Sequence, residues 1–432
     1  MDSVAAVAVP TPIQASRLRT LQAVGMFCGF AAGAWLGGAE APIKIVSAGV
    51  SPITVSLIMV AGVFLARWSI PAFIRGTASV RKDVSQAPHL IIWAVLAGCM
   101  WAVANTMTIY AIRDVGLSIA FPLWNTNSLL GIFWGFLLFN ELHHAGWSRW
   151  LGVLGGAVCM FGGATLLAFA SSTQAPAGKA TVGVVAALGA GVVWGTMYIP
   201  YRKAYLTGMN PLSFITFFTV GELGAMTFLA LSYMGAGPLW HEIVAARAVL
   251  FWLMLGGFVW VIGDLFQQYA TKYVGISRGI PLSNTNQLWG LLWGILVFHE
   301  LQGGGHRVYA QVIGGSIVMA LGAVAIALSS ATGREHTRWQ AAADREGRRY
   351  GIEDAYVRAS MEGRELNGES NRRMFIDWLL VTGVTAIFVV LAAMARVPQM
   401  NINLTWAALL SVATLLLLVG CAVALWRTTR FS

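Results

Sequence analysis

Charge is scarce in this 432-residue sequence: 11% of residues are Asp, Glu, Lys or Arg, against 57% hydrophobic. A chain so poor in charge cannot clothe a water-facing globule, which excludes a soluble protein. Cysteine is scarcer still. Cys28, Cys99, Cys159 and Cys421 have neither metal-ligand nor disulfide spacing and all fall in apolar stretches, so they read as packing residues. His299, Glu300 and His306 lack the second close ligand pair that zinc needs, and no metal is expected. No nucleophile–base pairing, phosphate loop or organic-cofactor motif is visible, so an intramembrane enzyme is not expected and no cofactor is implied.

The apolar residues fall into twelve blocks, near 20–42, 52–74, 88–111, 116–139, 149–171, 182–201, 211–234, 248–270, 276–298, 308–330, 375–395 and 404–426. Each approximates the roughly 20 residues that cross a bilayer core. The net charge of +10 could suit nucleic acid, but its placement argues against that partner. Arg17, Arg19, Arg75, Arg81, Lys82, Arg149, Arg202, Lys203 and Lys272 all fall on one side if the N-terminus is inside. The opposite loops hold mainly Arg113, Lys179, Arg247 and Arg307. That asymmetry predicts a multi-pass protein of the cytoplasmic membrane with both termini inside. The first apolar block leads directly onward, so no cleavable signal peptide is expected.

Shifted by 159 positions, the sequence repeats itself. Val115-Gly116, Ser118, Pro122-Leu123, Asn125-Thr126-Asn127, Leu129, Gly131, Trp134-Gly135, Leu137, Phe139 and Glu141-Leu142 recur from Val274 to Leu301, 16 identities in 28 positions without a gap. Trp35/Trp194, Lys44/Lys203, Pro52/Pro211, Trp101/Trp260 and Gly163/Gly322 hold the same register. Each repeat has five spans, an odd number, so the second enters the membrane upside down. The predicted fold is an all-α integral membrane protein with two inverted five-helix repeats, a ten-helix transporter core and two extra C-terminal spans. The divisions are a tail (1–19), repeat one (20–172), a linker (173–181), repeat two (182–331), a charged linker (332–374) and two added spans (375–432). Residues 332–374, with nine Arg, no Lys and eight acidic residues, read as a solvated, partly helical linker, or more sharply as a regulatory or partner-binding segment. The last two spans are open to a peripheral or oligomer-contact role, a homodimer included.

A charge at bilayer depth costs several kcal/mol and asks for a reason. Asp264 shares a helix face with Trp260, Gln267, Gln268 and Thr271, and Trp101, Asn105 and Thr108 repeat this stripe. A buried carboxylate can take and release a proton, so Asp264 is the first candidate for proton coupling. Glu222, where the first repeat has Val63, is the second; pairing with a basic residue elsewhere would explain it equally well. Glu141 and Glu300 follow their spans directly and read as helix-end anchors. Asn125, Asn127, Asn284, Asn286 and Gln287 offer amides that both donate and accept, which suits sugar hydroxyls, with Trp101 and Trp260 for the apolar side of a ring. Asn125 and Asn127 lie about 200° apart on a regular helix, so both reach one cavity only if the helix breaks there. Lys44 and Lys203 stand at pseudo-symmetric mouths as candidate gate charges. Gly155-Gly156, Gly162-Gly163 and Gly314-Gly315 read as sites of close helix approach.

Five plus five inverted spans with the N-terminus inside resembles the drug/metabolite transporter superfamily. Gly275-Ile276-Ser277, Pro281, Ser283, Gln287-Leu288, Gly290 and Glu300 resemble the ninth-span region of bacterial glucose/ribose porters. Tyr198-Ile199-Pro200-Tyr201-Arg202-Lys203 is similar to a stretch of rhamnose–proton symporters that lies there in the first span; here the first copy keeps only Pro42-Ile43-Lys44. The resemblance covers roughly residues 20–331 and implies a secondary transporter for a small polar metabolite, above all a sugar, with a proton as candidate co-substrate. Ureides or nucleobases, amino acids, organic cations and a non-transporting membrane sensor are the alternatives.

Overall fold

The computed structural model describes residues 12–39, 41–42, 50–115, 120, 123–139, 141–142, 146–170, 180–299, 305–329, 333–364, 373–396 and 402–431. Among them the structure is all helical. The helices are α1 (Pro12–Gly38), α2 (Pro52–Ile74), α3 (Thr77–Gln86), α4 (Leu90–Val115), α5 (Asn127–Phe139), α6 (Trp147–Ala170), α7 (Ala180–Leu206), α8 (Pro211–Met234) and α9 (Ala236–Ala245). They continue with α10 (Leu250–Val274), α11 (Ile276–Ser283), α12 (Asn286–Leu292), α13 (His306–Leu328), α14 (Gly333–Arg349), α15 (Asp354–Met361), α16 (Phe375–Met394) and α17 (Leu404–Thr429). Ten are long and apolar enough to cross a membrane. The expected blocks at 116–139 and 276–298 are not continuous spans. Among the described residues the first yields the short helix α5, and the second breaks into α11, α12 and a π-helical turn over Trp293–Val297.

Helix starts follow the repeat. α2 opens on Pro52 after Ser51, whose side chain accepts from Thr54 N. α8 opens on Pro211 after Asn210, whose side chain accepts from Leu212 N at 2.9 Å. Proline at the first helical position and a polar N-cap are the usual helix-starting signals. Gly76 and Gly235, 159 residues apart, have φ of +83° and +78° and turn the chain into α3 and α9. Only glycine adopts that backbone freely.

Packing obeys the same exchange. α1 lies on α10, α11 and α12, while α7 lies on α4 and α5. α2 packs on α10 as α8 packs on α4, and the pairs α2–α8, α5–α11 and α6–α13 map onto themselves. A Cβ on Gly98 would collide with the Phe218 carbonyl and one on Gly257 with the Met59 carbonyl, two contacts that interconvert under the shift. Gly156 and Gly163 set the α6–α13 approach, against the carbonyls of Gly322 and Gly315. Their expected neighbours Gly155, Gly162 and Gly314 face open space.

α14 and α15 are not a solvated linker. Trp339, Ala342, Ala343 and Val357 are buried where these helices meet α7. Arg17 donates to the Glu362 and Gly363 carbonyls, and Tyr350 stacks on His89 at 4.0 Å. The end of the bundle under α14 and α15, which holds the start of α1 and the ends of α7 and α10, is called the linker end below. α16 packs on α2, and α17 packs on α1, where Cys421 meets Cys28.

Candidate functional site

The fourth and ninth apolar blocks both break at their asparagines. Asn284 and Thr285 form the turn between α11 and α12, and Asn125 and Thr126 form a turn before α5. Pro281, inside α11 just before the second break, lacks a backbone donor, and the Asn284 amide reaches across the bundle. Asn284 Nδ2 donates to Asn127 Oδ1 at 3.0 Å and also to Ser128 Oγ. Asn125, Asn127 and Asn284 are buried. Asn125 Nδ2 and Asn286 Oδ1 are buried with no hydrogen-bond partner among the described residues. Gln287 is half-buried on α12.

The second centre gathers the candidates Asp264 and Glu222 around a cation that the sequence reading did not name. Arg67, fully buried on α2, reaches Asp264 Oδ2 with Nη2 at 2.8 Å and Glu222 Oε2 with Nη1 at 3.5 Å. Its guanidinium lies 4.0 Å from the Phe218 ring centroid and 5.5 Å from that of Trp260. Asp264 also accepts from Gln268 Nε2 at 2.7 Å, and Gln268 accepts from Tyr205. Neither oxygen of Glu222 receives a hydrogen bond among the described residues. Arg67 carried the same signal as Asp264, a charge deep in an apolar span. Trp101 and Trp260, 159 residues apart, meet edge-on with ring centroids 5.3 Å apart. Gln267 joins the two centres: its Nε2 donates to Ser283 Oγ at 2.6 Å, and it bonds the Tyr198 phenol.

At the linker end, Glu141 accepts from Ile276 N at 3.1 Å and Ser277 N at 2.9 Å. It thus caps the α11 N-terminus, where a carboxylate is favoured by the unsatisfied N–H groups and the helix dipole. Arg202 Nε stands 3.0 Å from Glu141 Oε1, with its guanidinium 4.5 Å from the Trp339 ring. Lys203 pairs with Glu346 at 3.6 Å and lies 4.8 Å from the Trp93 ring. Lys44 and Glu300 lie outside the described residues.

Ten long apolar helices and buried charge at mid-bundle make this a multi-pass membrane protein. Residues 185–347, fewer than half of the chain, match the family described as sugar transport protein. A Streptococcus pyogenes serotype M1 protein named "Putative sugar uptake protein" is 44% identical over 78 residues, 17% of this chain; the match spans only 26% of the relative's length. A Listeria innocua serovar 6a protein of the same description is 21% identical over 238 residues, 54% of this chain and 77% of the relative. A Listeria monocytogenes serovar 1/2a counterpart matches at the same identity and coverage. One solved structure overlaps 69% of this chain and 97% of its own at 16% identity and a TM-score of 0.45, below what establishes a shared fold.

Proposed function

We propose that the chain is a secondary transporter that takes up a small polar substrate, a monosaccharide, by alternating access of two inverted repeats in the cytoplasmic membrane. The observation that carries this reading is the meeting of two broken segments at the repeat interface, with buried amides on both. Helix breaks at membrane depth are tolerated where they line a cavity or a protein interior, and in transporters they form the binding site. Asn125, Asn127, Asn284, Asn286 and Gln287 bond sugar hydroxyls in this reading, and Trp101, Trp260, Gln267 and Gln268 complete the site. The family and the names of the relatives support sugar as the substrate class. The bias of basic residues toward one set of loops supports a cytoplasmic linker end and cytoplasmic termini in this reading.

Coupling to protons rests on a charge count. One guanidinium faces two carboxylates, so the ionised Arg67–Glu222–Asp264 group carries one negative charge in excess. At this depth a proton cancels that charge at least cost. Asp264 is held by two hydrogen bonds and Glu222 by none, which favours Glu222 as the carrier and Asp264 as the partner of Arg67. The same excess charge among Phe218, Trp260 and Tyr201 would suit an organic cation, the second reading.

The test is uptake of a monosaccharide panel into proteoliposomes with and without an inward proton gradient. Accumulation of one sugar only under the gradient supports the proposal, and loss of that accumulation with retained exchange in Glu222→Gln identifies the carrier. Asp264→Asn protein that still concentrates sugar under the gradient removes Asp264 from coupling. No uptake of any sugar overturns the sugar reading.

A further inference from the structure

Exchange of the repeats is a test that can be applied to each contact. The Trp101–Trp260 contact maps onto itself. The Gly98–Phe218 contact maps onto Gly257–Met59, and both are made. The Gly156–Gly322 contact maps onto Gly163–Gly315, and both are made. The hydrogen bond from Asn284 Nδ2 to Asn127 Oδ1 maps onto one from Asn125 Nδ2 to Asn286 Oδ1. That bond is absent. The donor and acceptor it would use are both buried and unpartnered among the described residues.

We infer that the two Asn-Thr-Asn turns form a pair of alternative amide latches, one closed and one open, which exchange when the transporter changes the side it faces. The inference rests on the alternating-access reading. A buried donor or acceptor left unpaired costs about 1–3 kcal/mol, so the open latch is a poised position rather than an idle one. In inverted repeats each half adopts the other's shape in the opposite state. Asn125 Nδ2 then donates to Asn286 Oδ1, and Asn284 releases Asn127. Ser128, which also accepts from Asn284, has Gln287 as its exchange mate, so the second latch has its auxiliary acceptor too. Asn127 and Asn286 thus act as positioning residues with opposed effects.

The experiment compares Asn127→Ala and Asn286→Ala, each removing one latch's acceptor. The background carries Cys28→Ala, Cys99→Ala, Cys159→Ala and Cys421→Ala, with Ser277→Cys as reporter. Ser277 is fully buried beside Glu141 at the linker end, so a membrane-impermeant maleimide reaches it only when that end opens. Asn127→Ala is expected to speed labelling about fivefold and Asn286→Ala to slow it about fivefold, the factor for one net hydrogen bond. The double variant Asn127→Ala/Asn286→Ala is expected to return near the parent rate, which a merely unfolded protein would not do. Shifts in the same direction, or none in a protein that elutes as the parent does, overturn the latch. Opposed shifts without uptake of any solute keep the latch and overturn the transport reading; uptake without opposed shifts does the reverse.

Discussion

Asp83 and Glu242 stand 159 residues apart and do the same work at opposite ends of the bundle. Asp83, on α3, accepts from Ser213 Oγ in the first turn of α8. Glu242, on α9, accepts from Thr54 Oγ1 at 2.6 Å in the first turn of α2, and from Ser51 Oγ and N. Each repeat therefore uses a short surface helix to hold the start of the other repeat's second helix. The symmetry is incomplete: Asp83 also accepts from the Tyr356 hydroxyl of α15 at 3.1 Å, and Asn210, the counterpart of Ser51, donates instead to the Phe431 carbonyl.

The two carboxyls answer pH in opposite senses. Burial pushes Asp83 above its ordinary value, against the hydrogen bonds from Ser213 and Tyr356 and the charges of Arg75 and Lys272. The folded chain then keeps a proton that the unfolded chain releases, so this contribution falls as pH rises from the ordinary carboxylate range to the raised value. For Glu242 burial also pushes up, but the Thr54 and Ser51 donors outweigh it and hold the group below its ordinary value. Its contribution is full above that ordinary value and is lost as pH falls through the lowered one. Glu242→Gln is expected to melt below the parent at about pH 7, with the gap closing only as pH falls below the ordinary carboxylate range. Asp83→Asn is expected to match or exceed the parent at about pH 7. Melting in detergent across this range checks both, and parallel pH profiles would count against the assignment.

Much of this was legible. The repeat, the helix starts at Pro52 and Pro211 and the break at the asparagines follow from spacing and from proline's missing N–H. Arg67 was not read, because arginines were weighed as loop charges that set orientation, whereas this one answers Asp264 across 197 positions of sequence. Trp339 was obscured by composition: a segment rich in both signs of charge reads as solvated. The pattern of Trp339, Ala342 and Ala343 was nonetheless that of a helix with one apolar face, and those residues are 1%, 6% and 0% exposed.

The glycines give a sharp contrast between neighbours. A Cβ at Gly156 or Gly163 comes 2.6 Å from the facing carbonyl, whereas Gly155, Gly162 and Gly314 have nothing within 4 Å. Gly156→Ala and Gly163→Ala are expected to cost about 1–3 kcal/mol through forced separation of α6 and α13. Gly155→Ala, Gly162→Ala and Gly314→Ala are expected to be neutral. Thermal melts of the five variants in one detergent decide it.

Trp339 ties α14 to the helical core through Arg202, and Arg202 holds Glu141 against the α11 N-terminus. Trp339→Ala removes a fully buried ring and is expected to cost about 3–5 kcal/mol. Because the ring covers that ion pair, limited proteolysis within 333–364 is expected to accelerate as well. Trp339→Phe keeps most of the apolar bulk and a ring face for the guanidinium, so it should recover most of the loss. Proteolysis rates unchanged in Trp339→Ala would show that α14 is held by other contacts.

The Arg67 group makes the hardest demand on the fold. A buried charge that loses its partner is strongly destabilising, by about 3–5 kcal/mol, whereas a pair removed together is often tolerated. Arg67→Met leaves Glu222 and Asp264 facing each other with no cation between them, and a large drop in melting temperature is expected. Adding Glu222→Gln and Asp264→Asn removes both orphaned charges, so the triple variant should recover much of that drop while losing gradient-driven accumulation. Stability returning without coupling would separate the structural cost of the cluster from its use. If the triple variant melts no higher than Arg67→Met alone, packing of the arginine stem against Phe218 and Trp260, rather than its charge, is what the core requires.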